Sequence, residues 1–574
     1  MVHNSKFVFV TGGVMSGIGK GVVTASLGKI LQFRGFNVSV VKIDPYLNVD
    51  PGTLNPIEHG ECFITEEVWD FKPVPSASAN SDEKACEPEE RVYRISEIDQ
   101  DFGTYERFLG ITIHPSHNIT SGQIYLSTIL RERKGKFLGR TVQIIPHCTN
   151  MIKNRLIEIA DNEELDVLLI ECGGTVGDLE SSIFLEAFRQ IRLELPKHNT
   201  AFVHVTLVPY SKAVGQQKSK PTQHSVKMLQ SAGLQPEILI GRSEQPLEND
   251  IKSKISLFSN VPESAVISNP DLECVYELPL LFEKQKLGDL LCETLDLRAK
   301  LVSYSKVNNY SEWKKTVDLF KGKRKSVTIG MPGKYFNISD SYISINDALE
   351  HAAAHEGYTA KLKMINITEN TDVVHELSDC DGILLTPGFG ERAVEGMIES
   401  AEYAIKHKIP FLGICFGAQL FYVAFCREIL GLEGANSTEI NPETPYPVVD
   451  LLESQKRVTE KGGTMRLGGI EISIKKGTKL YETYQQTEII ERFRHRYHIQ
   501  PHYLEEKPGG DLLVISSTNP EGNIVNSIEL NRPDHFMLGT QFHPEFKSKP
   551  WRASPIFSAF LESCIKFKEK GEKS

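Results

Sequence analysis

Cys415 stands in GICFG (413–417), with a glycine two places before it and another two places after, between an apolar run and a helical stretch. A projecting nucleophile needs that arrangement. The glycines permit a sharp strand-to-helix turn, and the unpaired N–H groups opening the helix stabilise a thiolate. The Phe416 amide, next after the nucleophile, becomes an oxyanion-hole donor, and the loop Pro387–Gly388–Phe389–Gly390 is placed to supply a second. The segment QFHPEF (541–546) holds a complementary base. His543 and Glu545 are two apart, so on extended chain they share a face, the imidazole taking the thiol proton and the carboxylate orienting the ring. A lone cysteine or lone histidine reads as a core residue; elbow and HPE together read as an acyl-transfer triad.

A second chemistry is written near the N-terminus. GGVMSGIGKG (12–21) lies between a strand-like run and a helical pattern. There, backbone N–H groups converge on phosphate oxygens and Lys20 adds a point charge. The alternative is a structural glycine turn. The spacing departs from the usual phosphate loop, with five residues between Gly13 and Gly19, and Gly21 where a serine or threonine is usual. A missing hydroxyl means that a magnesium ion must draw its oxygen ligands from elsewhere, most naturally carboxylates. Glu171, at the end of the apolar run DVLLIE, and Asp101, in DQDFG, are the candidates. From spacing alone each is equally a capping or solvated acid.

These residues need a scaffold. At 574 residues the chain is too long for one hydrophobic core. Apolar runs at 7–10, 36–43, 167–171 and 202–208, with a helical pattern through Val22, Val23, Leu27, Ile30 and Leu31, predict a parallel α/β sheet. A second α/β series is predicted from 327–330, 382–385 and 411–414, completed by strands near 513–516 and 536–542. Residues 298–325 are polar and basic and read as a linker. The stretch 66–98, rich in proline, serine and acids, reads as a surface insertion. The net charge of −11 argues against nucleic-acid binding as the main activity. No apolar run is long enough for a membrane span, the N-terminus lacks a signal-peptide core, and ten scattered cysteines suit a reduced, cytoplasmic chain.

The second half resembles the triad class of glutamine amidotransferases over most of residues 326–565, with Cys415, His543 and Glu545 as the triad. In the first half, VKIDPYLNVDPGTLNPIEHGE (41–61), GGTVGDLES (173–181) and KSKPTQHSVK (218–227) join the glycine loop as stretches similar to the signatures of the CTP synthase family, in the family's order. The resemblance implies two three-layer α/β domains. A dethiobiotin-synthetase-like P-loop amidoligase would occupy 1–297 and a flavodoxin-like class I glutamine amidotransferase 326–567, before a charged tail at 568–574. It implies ATP-dependent phosphorylation of UTP at O4, then amination with glutamine-derived ammonia, giving CTP, ADP, phosphate and glutamate. It further implies magnesium, GTP as activator, CTP as feedback inhibitor, and homotetramers that form filaments.

Carried over position by position, Gly17, Ile18, Gly19, Lys20, Gly21 and Val22 bind ATP, Lys42 is a second catalytic lysine, and Asp101 and Glu171 are the magnesium ligands, with Asp101 also at the ATP. Arg242, Pro270, Asp271 and Leu272 fall where the family holds adenine. Ser16, Lys218, Ser219, Lys220, Pro221, Thr222, Gln223 and Lys254 correspond to the UTP site, and Asp178, Leu179 and Glu180 to CTP feedback. Gly388, Phe416, Gly417, Ala418, Gln419, Glu439 and Arg496 match the glutamine pocket, and Pro56, His59 and Cys62 the gate of an ammonia passage. The chain departs from the family at the insertion, at Pro387 and Ala393, where glycines are usual, and at Cys62, where valine is usual. Two rival readings are another ATP-dependent amidotransferase, such as those acting on corrin-ring precursors, and a catalytically weak filament-forming scaffold. KPTQHS and the linear ligase-then-glutaminase order disfavour the first, and the complete set of catalytic residues disfavours the second.

Overall fold

Seven apolar strands are hydrogen-bonded into one sheet in the first half of the chain: β1 (Lys6–Gly12), β2 (Val38–Asp44), β3 (Asn118–Thr120), β4 (Val167–Cys172), β5 (Thr200–Leu207), β6 (Ile238–Ser243) and β7 (Val266–Pro270). The computed structural model describes residues 5–54, 60–74, 92–298, 309–322, 324–333, 339–368, 370–452, 455–456 and 465–571. Strand order is β7-β6-β5-β1-β4-β2-β3, and all neighbours pair in parallel. Parallel strands are covered on both faces and read as unbroken apolar runs; KFVFVTG and VLLIEC do so. Phe7 and Phe9 pack on one face with Phe188 and Phe202, while Val8 and Val10, alternating with them, are fully buried on the other. Three helices matter to the site: α1 (Lys20–Gln32), α2 (Asp101–Leu109) and α3 (Lys220–Ser231). Within the segment expected as a linker, Tyr310–Leu319 form a helix whose Trp313 is buried, its indole N–H donating to the Tyr276 carbonyl at 3.0 Å.

The second sheet has nine strands: β8 (Lys325–Gly333), β9 (Tyr358–Asn366), β10 (Gly382–Leu385), β11 (Phe411–Ile414), β12 (Arg466–Ile474), β13 (Glu488–His495), β14 (Leu513–Thr518), β15 (Val525–Leu530) and β16 (Met537–Thr540). Its order is β9-β8-β10-β11-β16-β15-β14-β12-β13. The first five strands pair in parallel and the rest antiparallel. The apolar runs predicted β8, β10, β11 and β16 of the parallel part but not β9, which is mostly half-buried. Of the antiparallel strands only β14 was expected: β12 and β13 bury residues intermittently, and β15, buried throughout, mixes polar residues into its run VNSIEL. Helix α4 (Phe416–Glu428) follows β11 directly and is buried over nearly its whole length.

The two compact units do not follow chain order. One holds residues 1–51, 69–93 and 101–321; the other holds 52–68, 94–100 and 322–574. The strands Phe63–Phe71 and Tyr93–Ile98 take up both ends of the stretch 66–98 that was expected to be a surface insertion, and they pair with each other. No helix among the described residues is long and apolar enough to cross a membrane, and the described cysteines are all free.

Candidate active sites

In the first unit, β1 ends at the glycine loop. Gly17 and Gly19 take positive φ of 72° and 81°, and Val14, at φ 80°, is held in a conformation costly for a β-branched residue. Gly19 caps α1 without a side-chain hydrogen bond, so the helix opens with backbone N–H groups facing the loop, the arrangement that receives phosphate. Lys20 is buried and donates to the Gly174 carbonyl at 2.9 Å, joining the loop to GGTVGDLES. Burial lowers its pKa, partly opposed by the Glu171 charge.

Lys42 and Glu171 are register partners on β2 and β4, near the carboxyl ends where parallel sheets bind ligands. Lys42 Nζ donates to Glu171 Oε1 at 2.9 Å and forms an ion pair with Asp101, the first residue of α2. Asp101 also stands where a side chain at Gly21 would project, so a Cβ at 21 would collide with its carboxylate. The absent loop hydroxyl is thus replaced in space by a carboxylate. Glu171, 1% exposed, also accepts from Tyr105 Oη at 2.6 Å and Thr24 Oγ1 at 3.0 Å. Neither partner stands out by spacing, although Tyr105 lies four after Asp101 and Thr24 four after Lys20, each on the same helix face. Two carboxylates with hydroxyls make an oxygen-only donor set that suits a hard divalent cation. No three His, Cys, Asp or Glu side chains among the described residues group to hold a metal. A cation held by these two carboxylates would need further oxygen ligands from outside the protein side chains.

Arg242 on β6 is ion-paired with Asp271 at 2.5 Å beside Pro270, the end of β7, with Leu272 following. Lys218 and Ser219 lead into α3, where Thr222 is fastened to the Leu207 carbonyl at 3.1 Å, beside Pro221, and Gln223 to Ser219 at 3.0 Å. Lys220 is exposed, its ammonium 5.6 Å from the Phe258 ring. Ser16, Lys254, Asp178, Leu179 and Glu180 are exposed, and Asp178 accepts from the Thr175 amide at 2.8 Å. No hydrogen bond among the described residues joins Lys254, Leu179 or Glu180 to the lysine–carboxylate cluster. Pro56 and His59 lie outside the described residues; Cys62 is half-buried, 3.9 Å from the Ile98 carbonyl.

In the second unit Cys415 has φ 53° and ψ −103°, the strained turn that the flanking glycines allow. A Cβ at Gly413 would lie 2.7 Å from the Gly417 carbonyl, and one at Gly417 would collide with the Leu385 carbonyl. His543 Nδ1 and Glu545 Oε1 are 2.7 Å apart, both residues buried. That leaves Nε2 for the thiol. Burial disfavours a charged imidazole, but Glu545 and the nearby Cys415 sulfur outweigh it and hold the His543 pKa up to about 10. The Cys415 thiol donates to the Arg494 carbonyl at 3.5 Å, and Gln541 Nε2 lies 3.7 Å from the sulfur. Gln541 lies two residues before His543, the same spacing that singles out Glu545. Gln419 on α4, which begins Phe416, Gly417, Ala418, donates to the Tyr497 carbonyl at 3.0 Å. Glu439 accepts from the Gly390 amide at 2.9 Å, holding the loop that carries Gly388, and Arg496 donates to Gln455 at 3.1 Å.

Residues 6–71 and 92–297 match the CTP synthase N-terminus family, and 337–563 match glutamine amidotransferase class-I. The first match breaks at 72–91, inside the stretch read as an insertion. A CTP synthase of Pyrococcus abyssi is 44% identical over 568 residues, and one of Staphylococcus carnosus is 44% identical over 570, each comparison covering 99% of both chains. The Trypanosoma brucei CTPS glutaminase domain, solved with bound acivicin, is 30% identical with a TM-score of 0.39, over 42% of this chain and 94% of its own.

Proposed function

The chain belongs to the CTP synthase family, glutamine-hydrolysing amidoligases that form CTP, and from that premise we propose which of its side chains perform each half of the reaction. In the glutaminase, Cys415 attacks the side-chain amide carbon of glutamine. The His543 imidazole takes the thiol proton and delivers it to the departing ammonia, while Glu545 holds the ring. The Phe416 and Gly388 amides stabilise the oxyanion. Pro387 has no N–H to donate, so the loop's contribution falls to Gly388. Water then releases glutamate from the thioester. Glu439 suits the ammonium and Arg496 the carboxylate of the glutamine backbone, with Gln419 beside them.

In the synthase, the C4 oxygen of UTP is a poor leaving group until it carries the γ-phosphoryl of ATP. Ammonia then adds at C4 and phosphate departs. Lys20 and Lys42 stabilise charge on the transferring phosphoryl group. Asp101 and Glu171 would hold magnesium, which when bound neutralises phosphate charge. Arg242, Pro270, Asp271 and Leu272 form the adenine site. Ser16, Lys218 to Gln223 and Lys254 form the UTP site, and Asp178 to Glu180 serve CTP feedback. Pro56, His59 and Cys62 gate ammonia. GTP activation, homotetramers, filaments and a cytoplasmic location rest on the family resemblance.

The observation that supports these roles is that each unit gathers one set of reactive side chains: Lys42 with Asp101 and Glu171 in the first, and Cys415 beside the His543–Glu545 pair in the second. The test is CTP formation from UTP, ATP and magnesium with either glutamine or ammonium chloride. CTP from both donors supports both assignments. CTP from ammonia alone removes the glutaminase assignment or its coupling and directs attention to Pro387 and Cys62. CTP from neither overturns the assignment of both sites.

A further inference from the structure

Arg492 and Arg494 are two apart on β13, so their side chains leave the same face of the strand. Both reach segments that precede residue 100. Arg492 Nη1 donates to the Ile64 carbonyl at 2.8 Å, and its guanidinium lies 5.1 Å from the Phe63 ring centroid. Arg494 Nε donates to Glu97 Oε1 at 2.6 Å, and its Nη2 to the Gly52 carbonyl at 3.3 Å. A side chain at position 52 would collide with the Glu97 carboxylate, so glycine there is what lets that carboxylate approach.

The backbone of the same two arginines reaches the triad. The Arg492 carbonyl accepts from the His543 amide at 2.9 Å, and the Arg494 carbonyl accepts from the Cys415 thiol at 3.5 Å. A parallel chain of contacts runs through rings. Phe63 meets Phe546 edge-on at 5.1 Å, and Phe546 stacks on the His543 imidazole at 5.3 Å. Gly52, Phe63, Ile64 and Glu97 all fall in the residues matched by the CTP synthase N-terminus family, yet they pack in the same unit as the triad. Glu97 is 3% exposed and bears the only carboxylate that pairs with Arg494 among the described residues.

We propose, resting on the reading of Cys415 as nucleophile, that Glu97 is a positioning residue of the glutaminase: through Arg494 it fixes the strand carbonyl that accepts from the thiol. Removing the carboxylate frees the guanidinium and lets the strand end shift, so the thiol loses its alignment with His543. Glutamine hydrolysis thereby depends on a segment that belongs by sequence to the synthase, and Glu97 precedes the carboxylate of Asp101 by only four residues.

The test uses the full chain with Glu97→Gln, Glu97→Asp, Arg494→Lys and, as control, Cys415→Ala. Three quantities are measured: kcat and KM for glutamine in CTP formation, the ammonia-dependent rate, and the pH dependence of Cys415 alkylation by iodoacetamide. Glu97→Gln is expected to lower the glutamine-dependent kcat by about tenfold or more while glutamine KM and the ammonia-dependent rate stay within about twofold, the scale of a small misplacement of reacting groups. The alkylation profile shifts along the pH axis, and Glu97→Asp restores part of the rate. Should Glu97→Gln fail to fold, Arg494→Lys, which keeps the charge but loses the fork, is expected to show the same selective loss. An unchanged glutamine kcat in both variants, or an equal fall with both nitrogen donors, overturns the proposal. Glutamine use surviving Cys415→Ala removes the nucleophile reading itself. Its loss in Cys415→Ala with retention in Glu97→Gln and Arg494→Lys removes only the role of Glu97.

Discussion

Lys42 contacts two carboxylates at once, and one of them, Glu171, is almost wholly out of water. Taking away that ammonium leaves Glu171 with hydroxyl donors alone. Removing one partner of a buried pair costs about 3–5 kcal/mol. Lys42→Met is therefore expected to lower the stability of the first unit by about that amount, read from its unfolding transition, with added magnesium restoring part of the loss. Unfolding unchanged by the substitution would remove the pair from the stability of this unit. In the second unit His543 has a folded pKa near 10 against an ordinary 6.5. A raised histidine pKa stabilises the fold fully below about pH 6.5, and that contribution is lost as pH rises through about 10. Burial pushes this pKa down, and the Glu545 charge does most to hold it up. Once the thiol proton has passed to the ring, the imidazolium must keep it for the departing ammonia, so Glu545→Gln should move the alkaline limb of the glutaminase pH profile down from about 10 toward neutrality, measured as ammonia release against pH. A limb left in place would separate Glu545 from the base.

Two turns show how much an element depends on a single side chain. At the elbow, Gly413 and Gly417 are required because backbone carbonyls occupy the space of their missing Cβ atoms. That requirement was readable from the motif, since the local geometry of the turn dictates it. Ala393 presents the opposite case. It caps the helix Val394–His407 at φ 63° and ψ 10°, in the left-handed region where an alanine is strained. A glycine, which the family resemblance leads one to expect at this position, would adopt this conformation without strain. Ala393→Gly is expected to relieve about 1 kcal/mol, the left-handed penalty less the entropy glycine adds to the unfolded chain. The measurement is the melting temperature of the second unit, and a lower value would mean that Ala393 has contacts outweighing its strain.

Across the whole molecule the two chemistries occupy different units, and this predicts a clean division of effects. Cys415→Ala should abolish CTP formation from glutamine and spare formation from added ammonia, whereas Lys20→Ala should abolish both. Assay of each variant with each donor decides it, and CTP made from glutamine by Cys415→Ala would displace the nucleophile. The sequence by itself determined the chemistry, because GICFG, HPE and the lysine-ended glycine loop obey local rules in which spacing along the chain sets direction in space. It also determined β1, β2, β4 and β5 in the first sheet and β8, β10, β11 and β16 in the second, since strands buried on both faces must be continuously apolar, whereas β3, β6, β7 and β9 were not read from it. Only the tertiary structure decided that Lys42, Asp101 and Glu171 form one cluster, and that Asp101 fills the space left by Gly21. It alone placed Glu97 against Arg494, 397 residues away. Such pairs are chosen by sheet order and packing, and two charges so far apart in a chain carry no periodic mark of their meeting.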